Sequence, residues 1–238
     1  MRIFSYEELD ELGEGLIRQY LGTEAERTCC VDIEGFVTDF LKLPLLYRSF
    51  AEEDSDKIGF IADGSTPLCV YENGEIKNRI YPRGTIVIER CLRREHESGR
   101  RRFTISHECA HYIMDRAFPS AAFHREFDNE RIYSQEDFKN LFSFRETQID
   151  RMGAALLMPR FMVHNVMISH GCSSCIPVFG DSILKLTDKR LIRQMANTMG
   201  VSFSAFLIRL RELGCLCYRP LSEYITEEMG LGQDGGAG

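Results

Sequence analysis

His107-Glu108-Cys109-Ala110-His111 is the stretch of this chain whose residue types and spacing point most directly to chemistry. It is an H-E-x-x-H pattern, in which one helix supplies two zinc ligands and a general base. At a spacing of four, the imidazoles of His107 and His111 lie one turn apart on one helix face and can share a tetrahedral cation. Glu108 stands about 100° round the helix from His107, able to reach a water but not to ligate the same ion.

The surroundings predict a helix. Phe103, Ile105, Ala110, Ile113 and Met114 supply apolar positions, and neither Pro nor Gly occurs from Arg100 to Phe118. Two imidazoles flanking a carboxylate on so apolar a helix are costly to bury without a partner, which favours a metal.

A catalytic zinc needs a third protein ligand and an open position. A metzincin arrangement requires glycine and histidine at positions 114 and 117; the chain has Met114 and Ala117, which excludes it. A gluzincin arrangement takes a glutamate from a downstream helix. Glu146-Thr147-Gln148-Ile149-Asp150 lies on a helix expected to run from about Phe138 to Met158 and to stop at Pro159. Glu146 and Asp150 share a face, so one can bind metal while the other fixes the tautomer of a ligand histidine. Such acidic pairs are common on solvated helices; the upstream motif is what favours Glu146 as ligand and Asp150 as its support. Gln148 points elsewhere on that helix.

Further elements must position these groups. Helical spacing is expected over residues 6–20, and again from Val31 to about Leu43 before Pro44. Leu45–Phe50, Lys57–Ile61, Leu68–Tyr71 and Thr85–Ile88 read as short strands, with Asn73-Gly74 as a hairpin signal. A polar loop is expected from about Pro119 to Glu136, and three shorter helices follow Pro159, ending near Leu213. Helices around a small mixed or antiparallel sheet make an α+β architecture.

The composition is that of an ordinary globular chain, 44% hydrophobic and 27% charged. A formal charge of −7 argues against broad nucleic-acid affinity. Met1–Glu8 lacks the apolar core of a signal peptide, and no run approaches membrane-spanning length. No membrane partner is expected, and the nine cysteines read as reduced thiols of a cytoplasmic protein.

Arg102-Phe103-Thr104-Ile105-Ser106-His107-Glu108-Cys109-Ala110-His111-Tyr112 is followed by Glu146-x3-Asp150-x3-Ala154-Ala155-Leu156-Leu157-Met158-Pro159. Together these blocks resemble the ImmA/IrrE family of metallo-endopeptidases, and the resemblance runs from about Val31 to Leu216. It implies a zinc-dependent endopeptidase with His107, His111 and Glu146 as ligands to Zn2+ and Glu108 as the catalytic base. It also implies a protein substrate, since known members cleave a partner repressor carrying a helix-turn-helix domain. Cys109-Ala110 replaces the commoner Leu-Gly or Leu-Ser, and Gly153 stands where Ala is usual; both are small changes on a packing face.

The organisation expected is an N-terminal helical segment (1–30), a zincin-like metallopeptidase domain (31–168), a helix-turn-helix-like region (169–217) and a partly disordered tail (218–238). Tyr112 and His164 are candidates for a further donor to the oxyanion, although each also suits packing or the surface. Thr85–Glu89 is the expected substrate-holding edge strand, a segment whose apolar character equally suits a central one.

Three other patterns compete for function. The arginines from Arg90 to Arg102 are interrupted by Glu95 and Glu97 and read as a solvated loop. His170, Cys172 and Cys175 with Cys215 and Cys217 have spacings that chelate a second, structural zinc, without fold context to support it. Ala196–Ser202 with Phe206–Leu213 resembles a helix-turn-helix. Phe203, Phe206, Leu207 and Leu210 load its second helix with apolar groups, leaving Arg209 and Arg211 for DNA. Packing or protein docking is favoured over DNA binding. The alternative to a peptidase is a DNA-binding regulator with a structural or vestigial zinc site, and a third reading is a scaffold that docks a partner without cutting it. Glu108 separates the first from the others, because a structural site needs no base.

Overall fold

The computed structural model describes residues 4–54, 57–117 and 135–229. The chain forms two compact units, residues 1–163 and 164–238.

In the first unit, α1 (Tyr6–Leu21) starts at a capping box. The Glu8 N–H donates to Ser5 Oγ at 3.1 Å and the Ser5 N–H to Glu8 Oε2 at 2.9 Å, which satisfies two donors the first turn leaves over. The helix expected from Val31 to Leu43 is shorter and broken: α2 (Ile33–Gly35) passes into a π-helical turn at Phe36–Phe40. The Leu41 N–H reaches back to Phe36 O at 3.0 Å, and Lys42 takes a left-handed φ of 58°, which ends the helix before Pro44.

Five strands follow: β1 (Leu45–Phe50), β2 (Gly59–Ile61), β3 (Leu68–Glu72), β4 (Glu75–Arg79) and β5 (Ile86–Glu89). They form a mixed sheet in the order β2-β5-β1-β3-β4. Asn73 and Gly74 turn the β3–β4 hairpin with φ of 54° and 84°, the left-handed pair that a two-residue hairpin requires. Strand β5 pairs in parallel with β1 and antiparallel with β2, so it is central. This corrects the expectation that Thr85–Glu89 is the edge. The edge beside it is β2, and the physical reason is burial: Ile86, Val87 and Ile88 are fully buried, as a strand flanked on both sides requires. Val87 joins Ala62, Leu68, Val70 and Tyr81 in a core cluster on one face, while Ile86 and Ile88 point to the other.

Two long helices complete this unit. Helix α3 (Ser98–Ala117) packs on β2, β5 and α4 (Gln135–Leu157), and α4 packs on α1. Between α1 and α4, Gly13 lies so close to Ala155 that a Cβ there would stand 2.7 Å from the Ala155 Cβ. Beside it the buried carboxylate of Asp10 accepts from Arg151 Nη2 at 2.6 Å. The α+β architecture with a zincin-like core is thus what the chain adopts.

Helix α5 (Arg160–Ser169) begins in the first unit and ends in the second. The second unit then holds β6 (Ile176–Phe179), α6 (Leu186–Thr198), α7 (Phe203–Glu212), β7 (Leu216–Arg219) and α8 (Leu221–Met229). Strands β6 and β7 run parallel, with Pro177 opposite Cys217. That pairing brings Cys175 within 5.6 Å of Cys217, Cα to Cα, and the two are joined by a disulfide. Not every cysteine is therefore the reduced thiol that the sequence reading expected; the parallel pairing of two strands 36 residues apart was not visible in it. No described helix is long and apolar enough to cross a membrane. The loop expected from Pro119 to Glu136 lies, up to residue 134, outside the described residues, as does the Gly-rich end of the tail.

Candidate metal centre

Helix α3 positions the motif because its apolar residues and its histidines occupy different faces. Ile105, Cys109, Ala110 and Ile113 are buried, while His107 and His111 are half-buried. Their rings meet edge to face with centroids 4.8 Å apart. Behind them α4 approaches closely at Gly153, where a Cβ would lie 3.4 Å from the His107 backbone nitrogen. This approach brings Glu146, 35 residues beyond His111 in the chain, to both imidazoles.

The donor atoms form a triangle. His107 Nε2 and His111 Nε2 are 3.1 Å apart, and Glu146 Oε2 lies 3.4 Å from the first and 3.6 Å from the second. Four ligands at about 2.0–2.1 Å, the bond length of imidazole and carboxylate to a small divalent ion, have neighbouring donors about 3.3–3.4 Å apart. The three donors therefore fit one coordination sphere and, among the described residues, leave its remaining corner open. Three electron-rich atoms this close repel one another unless a proton or a cation lies among them.

Asp150, one turn along α4 from Glu146, accepts a hydrogen bond from His107 Nδ1 at 2.9 Å. With that nitrogen donating, Nε2 keeps its lone pair for a cation. Burial works against a charged His107, but the Asp150 hydrogen bond and the carboxylates of Glu108 and Glu146 outweigh it, and its pKa is raised. At His111 burial and the neighbouring His107 charge act together and lower the pKa to about 4, so this imidazole is neutral at pH 7. Gln148 faces away, buried, and donates to Phe4 O at 2.8 Å.

Glu108 is 8% exposed, and burial pushes its carboxyl up to about 7. The Ile61 backbone N–H on the edge strand donates to it and favours its charged form. Strand β2 comes close because residue 59 is glycine: a Cβ there would meet Glu108 Oε1 at 2.5 Å and Thr104 Cγ2 at 2.6 Å. Neither Gly59 nor Ile61 was picked out from the sequence. The available signal was a glycine inside a strand, which marks close backbone approach.

Tyr112 is half-buried, and its hydroxyl accepts from Arg116 Nη1 at 2.8 Å. His164 is exposed and belongs to the second unit. In that unit the helix-turn-helix candidate is α6 and α7, with Ser202 capping α7 through the Ala205 N–H at 3.1 Å. Arg209 is wholly buried and pairs with Glu212 at 3.4 Å, so it is not exposed for DNA. Of the two cationic contacts foreseen there, Arg211 alone is exposed.

Two imidazoles one turn apart, a carboxylate from a second helix and a buried glutamate between the histidines are the arrangement of a metallopeptidase site. The chain belongs to the Peptidase_M78 family, the IrrE N-terminal-like domain, whose model matches residues 42–211. No curated protein matches it.

Proposed function

We propose that the protein is a zinc-dependent endopeptidase that cleaves a partner transcriptional repressor with a helix-turn-helix domain, with His107, His111 and Glu146 holding the ion and Glu108 as catalytic base. The observation that carries this reading is the donor triangle of 3.1, 3.4 and 3.6 Å beside a buried, unligated glutamate. A set of two nitrogens and one carboxylate oxygen suits zinc, and the open fourth corner suits catalysis rather than structure.

When bound, zinc supplies Lewis acidity toward a carbonyl oxygen and lowers the pKa of water toward about 7. Each residue of the chain then has a task. Asp150 orients His107 through Nδ1. Burial and the Ile61 N–H set the basicity of Glu108, so that its carboxylate accepts a proton from water and gives it to the leaving amine nitrogen. Among the described residues no strand pairs with the outer side of the edge strand β2, which leaves it for an extended substrate to pair with. Since Arg116 supplies the hydrogen bond that the Tyr112 hydroxyl accepts, its own proton is available to a developing oxyanion.

The repressor as substrate rests on the family resemblance alone, and a cytoplasmic location follows from that substrate. The test measures zinc per chain and cleavage of repressors encoded beside the gene, for the native protein and for Glu108→Gln. One zinc in both, with cleavage reduced about 100-fold or more in the variant, is the expected result. Full zinc in both with no neighbouring repressor cut by the native protein would overturn it.

A further inference from the structure

Beyond Ile61 the edge strand opens onto a cleft of about 350 Å3 between the Ala62–Asp63 and Arg83–Gly84 loops and the turn of α3 that follows His111. Tyr112, Asp115 and Arg116 form the helix wall. Glycine at position 84 keeps the cleft open on that side: a Cβ there would stand 3.3 Å from Leu43 Cδ2 and 3.4 Å from Tyr112 Cε2. Ile61 both lines the cleft and donates its N–H to Glu108, so the cleft adjoins the buried carboxylate.

The charges around it are unequally committed. Asp63 is occupied: Oδ1 accepts the N–H groups of Ser65 and Thr66, each at 2.7 Å, and Oδ2 accepts Thr66 Oγ1 at 2.7 Å. Asp115 accepts from Arg145 Nη2 at 2.6 Å. The cations are not matched in this way. Arg116 donates to the Tyr112 hydroxyl, and Arg83 has no hydrogen bond or ion pair among the described residues. Among the described residues neither guanidinium meets a carboxylate, and a guanidinium presents a planar fork that matches one.

We propose that this cleft is a specificity subsite in which Arg83 and Arg116 receive an acidic side chain of the substrate, close to the scissile bond. The inference rests on the peptidase reading and deepens it. A chain added along β2 places alternate side chains toward the cleft, so the preference falls on one position rather than on the peptide's net charge. Both arginines are solvent-exposed, so the selectivity is modest and weakens as salt rises.

The experiment is a positional-scanning peptide library cut by the zinc-loaded full chain, with Glu, Gln and Lys compared at each position. One position is expected to favour Glu about five- to tenfold in kcat/KM, mostly through KM. Arg83→Glu with Arg116→Glu is expected to reverse the order in favour of Lys, with one zinc still bound. Equal rates for all three residues at every position, or a Glu preference that survives the double reversal, overturns the subsite. If the native enzyme cuts no peptide, the peptidase reading has failed. Anisotropy of the labelled library on Glu108→Gln still decides the subsite, which is overturned unless acidic peptides bind more tightly.

Discussion

Gly59 and Glu108 are in such close contact that a single methyl group on Gly59 would stand 2.5 Å from the Glu108 carboxylate oxygen. The strand contributes no side chain at this point, so the helix side chains Glu108 and Thr104 lie directly against its backbone, and the Ile61 N–H reaches the same carboxyl. The buried position of Glu108 thus depends on a missing Cβ on the neighbouring strand.

Gly59→Ala should therefore displace Glu108 without touching a metal ligand. We expect kcat to fall at least about tenfold and unfolding stability by about 1–3 kcal/mol, with metal content retained. Unchanged kcat and midpoint in paired kinetic and urea-melt measurements would remove the role given to this contact.

Gly153→Ala should behave in the opposite way. Its Cβ would lie 3.4 Å from the nearest atoms of α3, an ordinary contact, within a helix where Ala is favoured over Gly by about 1 kcal/mol. A gain of about 0.5–1 kcal/mol in denaturant unfolding is expected; a loss would show that α3 and α4 pack more tightly here than these distances allow.

Asp150→Asn keeps the shape of the side chain but removes the charged acceptor of His107 Nδ1. Metal affinity, read by competition with a chromophoric chelator, should weaken about 10- to 100-fold. Unaltered affinity would leave Asp150 as a surface group only.

Metal removal should lower stability as well as abolish cleavage. At ion concentrations about 100 to 1,000 times Kd, the loss on chelation is about 2.7–4.1 kcal/mol. A thermal midpoint that does not respond to a chelator would mean that the triangle holds no ion in solution.

The ion pair of Asp10 and Arg151, each side chain 5% exposed, links α1 to α4 and hence supports the helix that carries Glu146. Asp10→Ala should cost about 3–5 kcal/mol, because it leaves a buried guanidinium without its carboxylate. An Asp10→Leu, Arg151→Met double variant should recover most of that loss in urea unfolding. A single variant costing under about 1 kcal/mol would show that the guanidinium finds water instead.

Much of this was legible before folding was considered. His107, Glu108 and His111 lie within five residues, and helix periodicity alone puts both histidines on one face. Asn73-Gly74 announced its hairpin because few other pairs tolerate two left-handed residues. Strand β4, Glu75-Ile76-Lys77-Asn78-Arg79, was not foreseen, since an edge strand exposed on most of its length carries no alternation. Thr85–Ile88 was recognised as strand, yet its place in the sheet was misjudged, because an apolar run does not reveal how many neighbours a strand has.

The sequence by itself determined the class of chemistry, since the spacing within α3 is enforced by a regular helix. The approach of Glu146 and Asp150 to that helix is a contact between residues 35 or more apart in the chain, which the sequence could propose from the upstream motif and from resemblance but not fix. Tertiary structure alone decided that β2 rather than β5 lies at an edge, that Gly59 presses on Glu108, and that Arg83 and Arg116 face one cleft. Backbone hydrogen bonds within a helix are local and follow from residue order. Strand neighbours and close approaches depend on which distant surfaces exclude water together, and no spacing along the chain records that.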